Sequence, residues 1–201
     1  FELDPHQAMI RNRQLVGRGR VEDIRNLMNQ LDTGFASPRV ERRRQAMSIL
    51  ADLAECLDEP GLPGDFETRM CTLLHGHIHL ENDEQSVLWS CQALEALLSH
   101  WIRCAAFEPV YRELLALGEY ILPKGGLPFW KVQAIQDMLA RMSGPLNLAV
   151  MAPQLHEREV EMATRQLHAL LALMGRPAAS YLVVCLELEE NANRRSHIVA
   201  A

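Results

Sequence analysis

The stretch VLWSCQALEALLSHW, residues 87–101, decides the fold class of this chain. Its larger apolar residues recur at steps of three and four, the period of one face of an α-helix, at Val87, Cys91, Leu94, Leu98 and Trp101. Residues on the other side of the same helix, such as Leu88 and Leu97, are apolar as well. Because a helix that is apolar on all sides has to be buried, we expect residues 87–101 to form the most central helix of the protein.

The same helical period extends over most of the remaining sequence. Four further stretches carry one apolar stripe each, namely residues 21–31, 110–121, 132–142 and 160–174. Clusters of proline and glycine separate such stretches, as in EPGLPG at 59–64 and PKGGLP at 123–128, and both residue types end helices. The apolar run at 181–186 could form a strand, but a lone strand leaves its backbone unpaired, so we predict a helix there. We therefore predict an all-α protein of about eight or nine helices.

The composition is that of a folded protein. The chain has 201 residues, of which 48% are hydrophobic, and a formal net charge of −6. Its apolar runs are shorter than the roughly 18 residues that a membrane span needs, so we expect no membrane segment. The five cysteines form no CxxC pair, which is typical of thiols in a reducing compartment, and we expect a cytoplasmic protein.

Two features bear on the origin of the chain. It begins at Phe1 and not at a methionine, so we expect a single domain excised from a longer protein. Only Lys124 and Lys131 among the 20 basic residues are lysines. A GC-rich genome explains such a bias, and so does a bacterial effector secreted into a host cell, where lysines are targets of ubiquitination. The second explanation predicts a role in virulence.

A short word recurs in three of the predicted helices. The tripeptides QAM, QAL and QAI occupy residues 45–47, 92–94 and 133–135, and a further apolar residue follows each one at the same offset. Since 92 − 45 = 47 and 133 − 92 = 41, the word returns after 47 and then 41 residues. A recurring small-then-large pair is expected where similar helix pairs stack on one another, because a single pair cannot bury its apolar face alone.

This pattern resembles the HEAT and armadillo families, whose helix-pair units repeat with periods of about 40–47 residues. In the first two copies a valine precedes the alanine by six residues, Val40 and Val87, whereas Pro128 replaces it in the third. The resemblance covers roughly residues 38–142. It implies an irregular α-α superhelix, with N-terminal helices at 1–36, HEAT-like repeats at 37–142, C-terminal helices at 143–201, and a groove lined by the second helix of each pair. A compact helical bundle is the alternative.

Residues 75–79 hold the densest group of metal-binding side chains. On a helix, His75 and His79 share the polar side, whereas His77 falls in the apolar stripe. Such a pair binds a metal if a third ligand is present. Cys71 lies four residues before His75, with Glu67 one turn earlier, so the same face could carry a thiolate–imidazole nucleophile. A metal-binding or cysteine-dependent enzyme is therefore one alternative, although we favour a protein with no cofactor and no catalytic residue.

Arginines are concentrated in the first quarter of the chain. Residues 1–50 carry nine arginines against six acids, an excess of 9 − 6 = 3 positive charges. Eight of them form the ridge Arg42, Arg43 and Arg44 and an earlier group made of Arg11, Arg13, Arg18, Arg20 and Arg25. Arginine pairs well with planar anions, so nucleic-acid binding through the earlier group is the second alternative. The net negative charge of the chain makes nucleic acid the less favoured partner.

The function that these observations favour is a non-enzymatic helical-repeat scaffold for protein–protein interaction. Its predicted contacts are the arginine ridge, which suits an acidic protein partner, and the aromatic pair Phe129 and Trp130, which follows a Gly-Pro turn.

Overall fold

The structure, a computed structural model, describes residues 21–58, 62–121, 126–156 and 161–200. Over these ranges the chain forms ten α-helices and one short 3-10 helix, with no β-strand. The α-helices are α1 (Val21–Phe35), α2 (Val40–Ala54), α3 (Phe66–Leu80), α4 (Glu84–Arg103), α5 (Phe107–Ile121), α6 (Phe129–Met142), α7 (Pro145–Met151), α8 (Glu161–Met174), α9 (Arg176–Leu188) and α10 (Ala192–Ala200), and the 3-10 helix is Ala152–His156. The prediction of an all-α fold is confirmed, including a helix at residues 181–186.

The chain divides into two compact units, Phe1–Leu97 and Leu98–Ala201, so that the boundary falls inside α4. In the first unit the predicted stripe 21–31 is buried at Ile24, Met28 and Leu31, whereas Val21 is 36% exposed. The core is made of Ile24, Met28, Leu31, Met47, Leu50, Leu53, Phe66, Met70, Leu74 and Ile78, together with the first half of α4. The predicted boundaries after residues 36 and 142, and the description as one domain, stay predictions.

A close approach of α1 and α2 explains one of the repeated alanines. Ala46, the alanine of the first QAM word, is buried against Gly34 near the end of α1. A Cβ atom placed on Gly34 would lie 2.8 Å from the Cβ of Ala46, which is nearer than two such atoms can come. The two helices therefore pack closely here because both contact residues are small.

Helix α4 is the most continuously buried helix, as the sequence predicts. Val87, Leu94, Leu97, Leu98 and Ile102 are fully buried, while Leu88 on the other side remains 39% exposed. Of the 20 residues of α4, 11 are buried, and they lie on both sides of the boundary after Leu97.

The turn after α4 is a Schellman motif with an unusual residue at its critical position. The amide of Ala106 donates to the carbonyl oxygen of Trp101 at 2.8 Å, and the amide of Ala105 donates to that of Ile102 at 3.1 Å. Ala105 has a φ of 57°, in the left-handed region where glycine is the usual residue.

The core of the second unit includes Phe107, Val110, Leu114 and Leu117 from α5, Ile135, Met138 and Met142 from α6, and Leu167, Leu170 and Met174 from α8. Most of these belong to the predicted stripes, whereas three other stripe residues, Ile121, Val132 and Leu139, are only half-buried. Helix α5 packs against both α6 and α8.

Two further properties concern the described residues as a whole. The five cysteines, all of which lie in the described ranges, form no disulfide with one another. No single described helix has the length and hydropathy to cross a membrane, although Arg165–Met174 and Arg176–Leu188, bent by 116° at their junction, meet those criteria jointly.

Candidate functional site

Arg43 of the predicted ridge is held by an acid at the end of α3. Its Nε lies 2.5 Å from Oε2 of Glu81 and its Nη2 lies 3.1 Å from Oε1, while Nη1 donates to the carbonyl oxygen of Ser37 at 3.0 Å. The Glu81 side chain is only 1% exposed. Arg43 therefore spans from the turn before α2 to the turn after α3.

Glu81 also organises the short loop that joins α3 to α4. Its Oε1 accepts the backbone amides of Asn82 at 2.8 Å and Asp83 at 2.9 Å. The hydrogen bonds from Arg43 lower the pKa of Glu81 to about 2, burial opposes this shift, and the two amides add to it. The carboxylate is thus kept ionised by groups of the chain itself.

Arg44 makes a second, similar pair one residue later in α2. Its Nε lies 2.8 Å from Oδ2 of Asp83, and Nη2 contacts the other carboxylate oxygen. Asp83 precedes α4 and caps it, because Oδ2 also accepts the amide and the hydroxyl of Ser86 at 3.1 and 2.8 Å. The bonds from Arg44, with those from Ser86, hold the pKa of Asp83 well below its usual range.

The arginine ridge is therefore divided in its roles. Arg43 and Arg44 are committed to the loop between α3 and α4, whereas Arg42 is exposed and makes no ion pair with the residues that the structure describes. Whether the ridge binds a partner stays a prediction, and Arg42 is its available member.

His77 is buried in α3, as its place in the apolar stripe predicts. Its ring meets the ring of Phe35 edge-on, with the centroids 4.7 Å apart, and its Nε2 lies 3.5 Å from Oε2 of Glu81. The Ser90 hydroxyl donates to the carbonyl oxygen of Ser86 at 2.9 Å and forms a hydrogen bond of 2.8 Å with Nδ1 of His77. Polar contacts therefore tie α3 to α4 below the loop.

Serine, histidine and glutamate together suggest a hydrolase triad, but their placement argues against one. Ser90 is fully buried and also contacts the sulfur of Met47 at 3.0 Å. A nucleophile must reach the substrate, and this hydroxyl faces the core. The three side chains serve to join helices.

Beside these polar contacts an open pocket of about 330 Å³ lies in the first unit. Its volume falls in the range of about 300–1,000 Å³ that is usual for ligand sites. The lining is mostly apolar and consists of Phe35, Ala36, Arg43, Thr72, Leu73, Gly76, His77, Leu80, Glu81 and Asn82. Leu80, the last residue of α3, is 76% exposed.

The predicted metal ligands do not assemble into a site in the described ranges. His79 is exposed, while Cys71, His75 and Glu67 are half-buried along α3. Among the residues that the structure describes, no group of three histidine, cysteine or acidic side chains is placed to hold a metal. The alternative of a metal or cysteine enzyme gains no support from this arrangement.

The predicted aromatic pair belongs to the second unit. Phe129 is the first residue of α6 and is 80% exposed, whereas Trp130 is half-buried. Nζ of the buried Lys131 lies 5.6 Å from the centroid of the Trp130 ring, within the distance of a cation–π contact. Phe129 is thus the residue of the pair that can be reached from solvent.

The predicted nucleic-acid-binding arginines are mostly not described. Arg11, Arg13, Arg18 and Arg20 lie outside the described residues. Arg25 is exposed in α1 and lies 3.5 Å from Glu22. This alternative stays a prediction.

Comparison with known proteins adds no identity to these findings. No protein-family model matches the chain, and no match was found among the curated proteins or among the solved structures. A function for this fold therefore has to be argued from the geometry of its sites.

Proposed function

We propose that this chain is a non-enzymatic scaffold for protein–protein interaction and that its main binding site is the pocket of the first unit. The observation that carries the proposal is an open, mostly apolar pocket with a highly exposed leucine on its rim. Apolar pockets that receive one anchoring side chain are typical of the centres of protein interfaces.

The chemistry of the lining supports binding and not catalysis. The ionised groups in the wall, Arg43 and Glu81, are already paired with each other. No serine or cysteine is among the lining residues, and the hydroxyl of Thr72 donates to the carbonyl oxygen of Thr68 at 2.9 Å. What it offers to a ligand is apolar surface with a polar edge.

We also propose that the helix pairs α1–α2, α3–α4 and α5–α6 are HEAT-like units of an α-α superhelix. The repeated word lies in the second helix of each pair, in α2, α4 and α6. In all three copies the glutamine is exposed, and the alanine, the next residue and the apolar residue three positions further are buried. The repeated tripeptide therefore has the same orientation relative to the core in each of the three helices, and a structural repeat requires this.

The proposal also includes two secondary contacts with the partner and a cellular compartment. Arg42 and Phe129 are the exposed members of the predicted ridge and aromatic pair, and both are candidates for secondary contacts. A cytoplasmic protein partner, in the source cell or in a host, suits a chain whose cysteines form no disulfide.

The test compares two leucines of equal exposure. Leu80 ends α3 at the pocket and is 76% exposed, and Leu188 ends α9 in the other unit and is 78% exposed. Partners should be captured from nuclease-treated extract on wild type, Leu80→Ser and Leu188→Ser, and each captured protein should then be purified and titrated by calorimetry. We expect a saturable partner whose affinity falls at least about tenfold with Leu80→Ser and is unchanged with Leu188→Ser. A partner that is indifferent to Leu80→Ser, or no protein partner at all, would contradict the proposal.

A further inference from the structure

We propose that the pocket anchors a large apolar side chain of an acidic peptide segment, whose acids pair with Arg39 and Arg42 at the start of α2; this inference rests on the proposed protein-binding function. The expected partner is thus an acidic peptide with one large apolar residue.

The apolar part of the pocket has the shape for one large side chain. The edge-on pair of Phe35 and His77 forms one wall, and Leu73 and Leu80 contribute aliphatic surface. Gly76 opens the space between them, because a Cβ atom added there would meet nothing within 4 Å. A leucine, methionine or aromatic residue would fill this space and be desolvated by it.

The exposed charges on the turn of α2 that leads to Arg43 are mostly positive. Arg39 and Arg42 are exposed and make no ion pair with the residues that the structure describes. Arg39 is the N-cap of α2, its carbonyl oxygen accepts the amide of Arg43 at 3.2 Å, and Arg43 lines the pocket. Arg42 is about 100° round the helix from Arg43, and the exposed Glu41, whose charge also acts on Arg43, is the one acid on this turn.

The acids nearest to the pocket are neutralised within the chain. Glu81 is paired with Arg43 and Asp83 with Arg44. An approaching peptide therefore meets two exposed guanidinium groups against the single exposed carboxylate of Glu41, which favours acidic sequences over basic ones.

Asn82 gives the rim a means of holding the backbone of the peptide. It is exposed and lines the pocket, and its side-chain amide carries both a donor and an acceptor. A peptide whose anchor residue enters the pocket would place a peptide group within reach of this amide.

The test uses selected peptides and a matched pair of glycine variants. A random dodecapeptide library displayed on phage should be selected on the wild-type chain, and the enriched peptides should be synthesised with a fluorophore and titrated by anisotropy. Gly76→Met fills the pocket, while Gly76→Ala adds only a Cβ for which there is room. We expect enriched peptides that carry one large apolar residue flanked by Asp or Glu. Their affinity should fall at least about tenfold with Gly76→Met, stay within about twofold with Gly76→Ala, and fall about fivefold or more with Arg39→Glu combined with Arg42→Glu. Circular dichroism melts of each variant establish that it is folded.

The outcomes separate this inference from the proposed function. Enriched peptides that are basic or uncharged, yet are lost with Gly76→Met, would overturn the acidic partner and leave the binding pocket in place. Peptides that are unaffected by Gly76→Met would overturn the pocket as the anchor site, even if the extract experiment captures a partner. Self-association of the wild type that is abolished by Gly76→Met would identify a second copy of the chain as the occupant and would also overturn the inference.

Discussion

Two connections of equal length flank helix α4, and they are stabilised in opposite ways. The loop Glu81–Asp83 before α4 is held by side chains from far along the chain, since Arg43 and Arg44 of α2 each pair with one of its acids. The loop Cys104–Ala106 after α4 is closed by its own backbone, through a Schellman motif with Ala105 in the left-handed region. The first connection therefore depends on tertiary contacts, and the second on local geometry.

This difference changes how the charged residues of the sequence should be interpreted. Three consecutive arginines look like a binding surface, yet two of them are structural partners of the first loop. A bidentate pair with a buried carboxylate is costly to break because it would leave one charge buried alone. The predictions below test the contrast from the largest expected effect to the smallest.

We expect the largest difference in stability between substitutions of two neighbouring arginines, Arg42 and Arg43. Arg43→Ala leaves the Glu81 carboxylate buried without its guanidinium, and we expect the free energy of unfolding to fall by about 2–4 kcal/mol. Arg42→Ala removes an exposed side chain and should change it by less than about 0.5 kcal/mol. Urea unfolding followed by circular dichroism measures both values. Equal effects of the two substitutions would show that the first loop does not depend on Arg43.

The same loop should make the protein sensitive to acid. The pKa of Glu81 is about 2 in the folded chain against an ordinary value of 4.5, so the folded state binds this proton less readily than the unfolded state does. The ionised group therefore stabilises the fold fully above about pH 4.5, and this stabilisation is lost as the pH falls towards 2, amounting to about 2–3 kcal/mol. The lowered pKa of Asp83 acts in the same direction.

Urea unfolding at about pH 6 and about pH 3 measures this loss. Glu81→Gln should show a smaller loss between the two values than the wild type, because the residue that titrates is gone. Glu84→Gln, which changes an exposed acid at the start of α4 and leaves the pair of Arg43 with Glu81 in place, is the matched control. If Glu81→Gln loses as much stability between the two pH values as the wild type does, the acid sensitivity arises from other groups.

The second loop should respond to its backbone conformation alone. Ala105 has a φ of 57°, so Ala105→Gly removes the strain of a Cβ in the left-handed region. We expect the substitution to raise the free energy of unfolding by about 0.5–1 kcal/mol. Ala106→Gly, next to it but without a positive φ, should lower it slightly through the greater freedom of the unfolded chain. A destabilising Ala105→Gly would mean that the side chain of Ala105 matters more than its backbone.

Periodicity in the sequence was sufficient to predict the helices but not the partners of their polar residues. The stripes of α1, α5, α6 and α8 and the burial of His77 follow from steps of three and four, which report the face of a helix on which a residue lies. Arg43 and Glu81 are separated by 38 residues, and a helical period carries no information about which two helices meet. The pocket was missed for the same reason, since it is a space left between Phe35, Leu73 and Leu80 that no single helix specifies.

The smallest effect on stability should come from the two exposed leucines, and that is what makes them informative. Leu80 and Leu188 each end a helix and are 76% and 78% exposed. Each loses little apolar contact on substitution by serine, so both changes should alter the free energy of unfolding by less than about 0.5 kcal/mol. Thermal and urea unfolding of both variants checks this.

If Leu80→Ser were strongly destabilising, the residue would be part of the core and its loss of binding would say nothing about the pocket. If both are neutral and only Leu80→Ser weakens a partner, the effect has to arise at the pocket rim, because the two leucines differ in their surroundings and not in exposure.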